Sequence, residues 1–217
     1  MDFTDKWQEI ISELKAQNSS AYLPPQYTGT LLKGFEAQKA ILLDRLSSEK
    51  STIMEIPFSG SSTFSYILQK YFSRGSLNID PQDIYGEPLV DFQTLMNPVD
   101  VKFFVETFKY LRKWIYAPSN QRLGVTEGVA TVNITTDDAI IQMLRKTVRP
   151  SIVHLSGTNA MMPLELGGVV GPDLLVHGVS HLSVVDASTM SLIPSTHLCA
   201  TVYAIAEKVC ESLRFFS

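Results

Sequence analysis

His154-Leu-Ser-Gly-Thr158, Leu166-Gly-Gly-Val-Val170, Leu182-Ser-Val-Val-Asp-Ala-Ser188 and Ile193-Pro-Ser-Thr-His-Leu198 follow one another in the last third of the chain. Apolar, β-branched runs at Ser151–Leu155 and Leu182–Val185 read as strands, and the glycine-rich stretch between them reads as a loop. Apolar residues then recur at helical spacing (Leu198, Val202, Ile205, Val209, Leu213), which predicts a helix from about Ser195 to Leu213. His177 and His181 read as ordinary satisfied surface or core residues.

Upstream, Trp7, Ile10, Ile11 and Leu14 predict a helix capped by Thr4 and Asp5 and ending near Asn18. Leu31, Leu32, Phe35, Leu42, Leu43 and Leu46 predict a second. The segments TIMEIPF, TFSYILQKY and GSLNI, between Ser51 and Ile79, read as neighbouring antiparallel strands. Asn97 followed by Pro98 marks a helix start: Asn accepts from orphan amides, and Pro at the first position gives up no needed hydrogen bond. Gly124 to Ile134 reads as a strand or hairpin, and Thr136 to Val148 as a helix stopped by Pro150. Helices on one side of a mostly antiparallel sheet, with a C-terminal strand and helix returning beside it, make the fold class α+β. The expected organisation is residues 1–150 as one region with 151–217 packed on it as a single compact domain.

The 217 residues are 45% hydrophobic, enough to bury a core. Interspersed charges, 18 basic against 22 acidic, argue against nucleic-acid and membrane-surface partners. The acid-bearing start, MDFTDKWQEIISELK, is unlike a secretory signal, and no long apolar run suggests a membrane span, so the cytoplasm is the expected location. Cys199 and Cys210 fit neither zinc spacing nor a disulfide framework and read as buried free thiols of one helix.

In order and register, the four C-terminal motifs resemble the C-terminal signature of the glucose-methanol-choline (GMC) oxidoreductases: His-x-x-Gly-Thr, Gly-Gly-Val-Val, Val-Val-Asp-Ala-Ser and Pro-x-x-His before a last helix. Glu55-Ile-Pro57, Phe72-Ser-Arg-Gly75, Pro88-Leu-Val-Asp-Phe92 and Asn97-Pro-Val-Asp100 are similar to that family's substrate-domain markers. The resemblance implies that His154 and His197 face one pocket as an acid–base pair. Phe64, Tyr66, Tyr71 and Phe72 would lie on the sheet that roofs it, with Phe64, Tyr66 and Phe72 lining the substrate. His197, in the first turn of the last helix, would feel the positive dipole end and serve as base, leaving His154 as donor. Asp186 would be a loop or cap carboxylate. Full-length relatives open with a Gly-x-Gly-x-x-Gly turn that holds the pyrophosphate of FAD. This sequence contains no such turn, and it carries Gly171 and Ser191 where the family pattern has Asp and Pro.

The expectation is a flavin-independent, non-redox enzyme (cyclase, isomerase or lyase) without a cofactor, acting on a small natural-product-like molecule. It would form a homodimer through the surface a flavin domain would cover. The alternatives are an accessory part of an FAD-dependent alcohol oxidase, with the flavin on a separate domain, and an inactive remnant.

Overall fold

The computed structural model describes residues 3–48, 51–57 and 65–214. The chain forms two compact units, both discontinuous in sequence: residues up to Gln17 with Leu95–Arg149, and Asn18–Thr94 with the residues from Pro150 on.

The first unit is helical. Helix α1 (Phe3–Ala16) packs on α3 (Pro98–Ile115), and α3 packs on α5 (Asp137–Thr147); the short α4 (Pro118–Arg122) follows α3. α1 begins at Phe3, so Thr4 and Asp5 lie inside it rather than capping it. The unit buries Ile10, Ile11 and Leu14 of the apolar spacing predicted for α1, together with Val99 and Phe103 from α3 and Ile140 and Leu144 from α5. Trp7 and Phe103 stack with ring centroids 4.9 Å apart.

Asn97 caps α3 as its sequence predicts, its Oδ1 accepting from Val99 N at 3.0 Å, and its amide is also paired in both directions with Gln17, at 2.8 and 3.1 Å. Thr136 caps α5 through Ala139 N. Between these helices the stretch Gly124–Ile134 is a series of turns, not the expected strand or hairpin. The reason is Arg112. Its guanidinium takes the carbonyl oxygens of Thr131 and Ile134, at 2.8 and 2.7 Å, and forks onto Glu127. Backbone acceptors drawn to one side chain leave no strand ladder to form.

The second unit holds α2 (Gly29–Leu46), two small sheets, a looped lobe and α6 (Leu198–Arg214). β1 (Met54–Glu55) pairs antiparallel with β2 (Ile67–Leu68), Glu55 opposite Ile67; β3 (Ser76–Asn78) pairs antiparallel with β4 (Leu89–Asp91). Strands thus form at all three predicted segments and pair antiparallel, but as two separate two-stranded sheets, with the third segment paired to β4. Together with the helices they give an α+β fold. The expected strands at Ser151–Leu155 and Leu182–Val185 are absent as strands. The first is an irregular loop bent at Ile152 and Val153, and the second contributes one isolated bridge, Leu175 to Ser183.

Order in the lobe comes instead from close backbone approach. A Cβ on Gly34 of α2 would fall 2.1 Å from Leu166 O, and one on Gly168 would fall 1.8 Å from Met162 O. Gln38 of α2 donates to Ser191 O at 2.8 Å, and Phe35, Leu42, Val170 and Met190 are buried. α6 starts at Leu198, three residues after the expected Ser195, so His197 precedes the helix. Both cysteines lie on α6 and are free, but they are exposed, a correction to the buried thiols expected: among the described side chains of this helix, only Leu198 is deeply buried.

Candidate functional site

The 157–161 backbone runs beside the Asp186–Thr189 segment, with Gly157 N, Asn159 N and Met161 N donating to Ala187 O, Ser188 O and Thr189 O at 3.2, 2.9 and 2.9 Å. This ties the first histidine motif to the Asp-Ala-Ser motif. Just before it, His154 N donates to Ser151 Oγ at 2.9 Å. Val153 sits at φ 65°, a left-handed conformation that a β-branched side chain adopts only under strain. Such strain clusters at functional sites.

His197 is held from the other side. Lys70 Nζ donates to Ser195 Oγ and to Ile193 O, and Ser195 Oγ donates to Thr52 O at 3.3 Å, so the loop before α6 is fastened beside the β1–β2 sheet. Burial of Lys70 lowers its pKa from the ordinary lysine value.

The two histidines meet. His154 Nε2 lies 3.4 Å from His197 Nδ1, with the rings at 88° and centroids 5.6 Å apart. The other nitrogen of His197, Nε2, lies 2.9 Å from Glu55 Oε1. Glu55 Oε2 in turn accepts from Gln69 Nε2 at 2.5 Å, and Gln69 is buried. A carboxylate can only accept, so in neutral His197 the proton sits on Nε2 and the lone pair on Nδ1. His154 Nε2–H is then the donor across the 3.4 Å gap. The row Gln69, Glu55, His197, His154 has the form of an acid–base pair with one imidazole oriented by a carboxylate.

Glu55 and Gln69 carry no site role in the sequence reading. The available signal was a lone carboxylate inside the apolar strand TIMEIPF. Among the aromatic residues, Phe64 lies outside the described residues. Tyr66 is half-buried, and its phenol pKa is driven well above the ordinary value by desolvation. Phe72 is fully buried, so in this structure it supports the interior of the second unit and presents no face to a ligand. His177 Nε2 bonds to Met162 O at 3.0 Å, a structural role, and His181 is exposed. Asp186 caps the turn Ala187–Thr189 through Ser188 N at 2.8 Å.

The dinucleotide implied by the resemblance needs glycines that leave backbone amides open to phosphate. Here a Cβ on Gly168 would fall 1.8 Å from Met162 O and one on Gly167 would fall 3.0 Å from Leu31 Cδ2, so neighbouring groups already stand against both positions, and the Asp186 carboxylate is engaged by its own turn. Among the described residues this stretch does not fit a pyrophosphate cradle. Nor do the described residues contain a group of three or more His, Cys, Asp or Glu able to hold a metal ion, or a helix long and apolar enough to cross a membrane.

Residues 72–206 match the family model for the GMC oxidoreductase C-terminal domain. Dehydrogenase xptC of Emericella nidulans is 29% identical over 96% of this chain and 33% of its own length; the glucose oxidase-like protein fsoC of Humicola fuscoatra is 33% identical over 76% of this chain and 28% of its own. An FAD-dependent oxidoreductase from Chaetomium thermophilum superposes with a TM-score of 0.90 at 30% identity, covering 96% of this chain and 36% of that structure. A fungal aryl-alcohol oxidase superposes at 0.85 and 31% identity, over 95% of this chain and 35% of that one. The chain thus spans about a third of the length of the proteins it matches. With its motifs, its fold and these matches in agreement, the chain belongs to the GMC oxidoreductase family, of which it represents the C-terminal part.

Proposed function

We propose that this chain is a proton-transfer enzyme acting on a small organic alcohol or carbonyl compound, of cyclase, isomerase or lyase type and without a flavin of its own. The observation that carries the reading is the pairing of His154 Nε2 with His197 Nδ1 at 3.4 Å, with His197 Nε2 turned to Glu55 at 2.9 Å. The direct contact between the imidazoles is long for a hydrogen bond and weak. A substrate oxygen can replace it, accepting from His154 Nε2–H and donating its own proton to His197 Nδ1. Glu55 holds His197 in the tautomer that leaves Nδ1 free to receive that proton. General acid–base action of this kind contributes about 10²- to 10⁴-fold. A second copy, packed over the sparsely covered α6, would close the site as a homodimer, which sedimentation would detect.

A second reading has its own support. The His197 side chain is 54% exposed and Val153 is 97% exposed, so the pair is open to water in this chain. A site that needs a cover fits a chain that works beside an FAD-bearing body, as part of an oxidase or dehydrogenase of the kind its relatives are named for. Incubation of the purified chain with metabolite extract from a strain lacking its gene, followed by mass spectrometry, separates the two. A product of unchanged mass, or one changed by water, supports the first reading; a loss of two hydrogens that requires added flavoprotein supports the second.

A further inference from the structure

Outside the histidine pair, the second unit brings one further couple of reactive side chains into contact. Lys70, two residues after β2, sets its Nζ against Ser195 Oγ and 3.4 Å from Ile193 O. Lys6, Lys102 and Lys109 each pair with a carboxylate, whereas Lys70 makes no ion pair among the described residues. Ser195 is exposed, and its hydroxyl also reaches the Thr52 carbonyl at 3.3 Å. We infer that Lys70 and Ser195 form a second reactive centre, a serine–lysine dyad that cleaves uncharged esters with Ser195 Oγ as nucleophile and Lys70 Nζ as its base.

A serine hydroxyl attacks poorly until a base in contact with it takes its proton, and Nζ stands in that contact. Lysine serves as a base only as the neutral amine. Burial lowers the Lys70 pKa from the ordinary lysine value and so favours that form. The neutral amine keeps an N–H for Ile193 O and turns its lone pair to the Ser195 hydroxyl. A substrate carboxylate beside Nζ would hold it as the ammonium, so uncharged esters are the class that fits. α6 opens three residues after Ser195, at Leu198, and the first amides of a helix have no intrahelical acceptor, which makes them donors suited to the oxyanion of acyl transfer. In the reaction the bond from Oγ to the acyl carbon forms, the ester C–O bond breaks, and the hydroxyl proton passes through Nζ to the departing alkoxide. Water then cleaves the acyl-serine, releasing the acid and restoring Ser195. The His154–His197 pair takes no part, so the dyad stands or falls apart from the proton-transfer reading.

Diisopropyl fluorophosphate probes the dyad in the intact chain: an Oγ–P bond forms, fluoride leaves, and peptide mass spectrometry locates the adduct. Ser195 is expected to label at least about 10²-fold faster than Ser12 and Ser20, which are also exposed. Lys70→Met and Lys70→Arg are each expected to lower the Ser195 rate by about 10²-fold or more. The arginine still donates to Ser195 and Ile193 but accepts no proton near neutral pH, so it separates a base from a mere tie. Labelling of Ser195 no faster than that of Ser12 and Ser20, or a wild-type rate in Lys70→Arg, overturns the inference.

Discussion

His197 and Glu55 are joined at 2.9 Å across the edge of a two-stranded sheet, and that contact decides which nitrogen of His197 faces His154. Glu55→Ala should leave the imidazole free to turn and lower the proton-transfer rate constant about 10²-fold. Glu55→Gln keeps a carbonyl acceptor at the same place and should retain most of the orientation, with a loss nearer tenfold. Steady-state kinetics should show the loss in kcat with KM little changed, and ¹⁵N chemical shifts of the imidazoles should show His197 shifting from one tautomer to a mixture in Glu55→Ala. Equal kcat in all three proteins would remove Glu55 from the mechanism.

The β1–β2 pairing reaches His197 through Lys70 as well, because this lysine ties down Ser195 and Ile193. Lys70→Met keeps the buried stem and deletes the tie. The expected result is a proton-transfer rate reduced about tenfold, with a melting temperature close to wild type, since a part-exposed lysine contributes little to global stability. A wild-type rate would show that the loop needs no such anchor.

Gly34 offers a test of the second unit in which two rules oppose each other. By helix propensity alone, Gly→Ala inside α2 stabilises by about 1 kcal/mol. A Cβ there, however, falls 2.1 Å from Leu166 O, a backbone atom with no freedom to swing aside. Gly34→Ala should therefore destabilise by about 1–3 kcal/mol, as overpacking does, and urea unfolding will give the sign. A stabilised variant would mean that α2 and the Leu164–Leu166 turn do not approach as described.

In the first unit, Arg112 forks onto Glu127 at 2.6 to 3.1 Å, and the Glu127 side chain is only 4% exposed. Hydrogen bonds from Arg112 hold the Glu127 carboxyl below the ordinary carboxylate range. A depressed carboxylate pKa contributes stability that is present above about pH 4.5 and is lost as pH falls through the folded-state value. Arg112→Met should cost about 3 kcal/mol at neutral pH, because it strands a buried carboxylate. It should also flatten the acid limb of the stability curve, as read by melting temperature from pH 7 to pH 3. An unchanged acid limb would contradict the pairing.

These tests also mark where local reading sufficed. Asn97-Pro98 and Thr136 announced α3 and α5 because a cap is made within four residues of chain, and the apolar spacing of α1 told which side would be buried. That His154 and His197 come together was legible from motif order. What eluded the sequence depends on distant partners. Gly124–Ile134 has strand-like composition, but its carbonyls go to a side chain on another element. Ser151–Leu155 has strand-like residues and no ladder neighbour among the described residues. Glu55 looked like one charge in a strand, but Gln69, just past β2, donates to one of its carboxylate oxygens and His197, from the loop before α6, meets the other. The cysteines looked buried because a thiol packs as an apolar group, but α6 leaves most of its surface open.

In the proposed function the His154–His197 pair moves a proton to and from a small substrate. It is tested most directly by the histidine-dependent exchange of deuterium from D₂O into the α-position of cyclohexanone, followed by proton NMR with wild type, His154→Ala and His197→Ala. Catalysed exchange is expected from the wild-type chain, with a fall of at least about 10²-fold in each folded variant. Exchange at the wild-type rate in both variants, or no exchange above the buffer rate in any of the three, would contradict it.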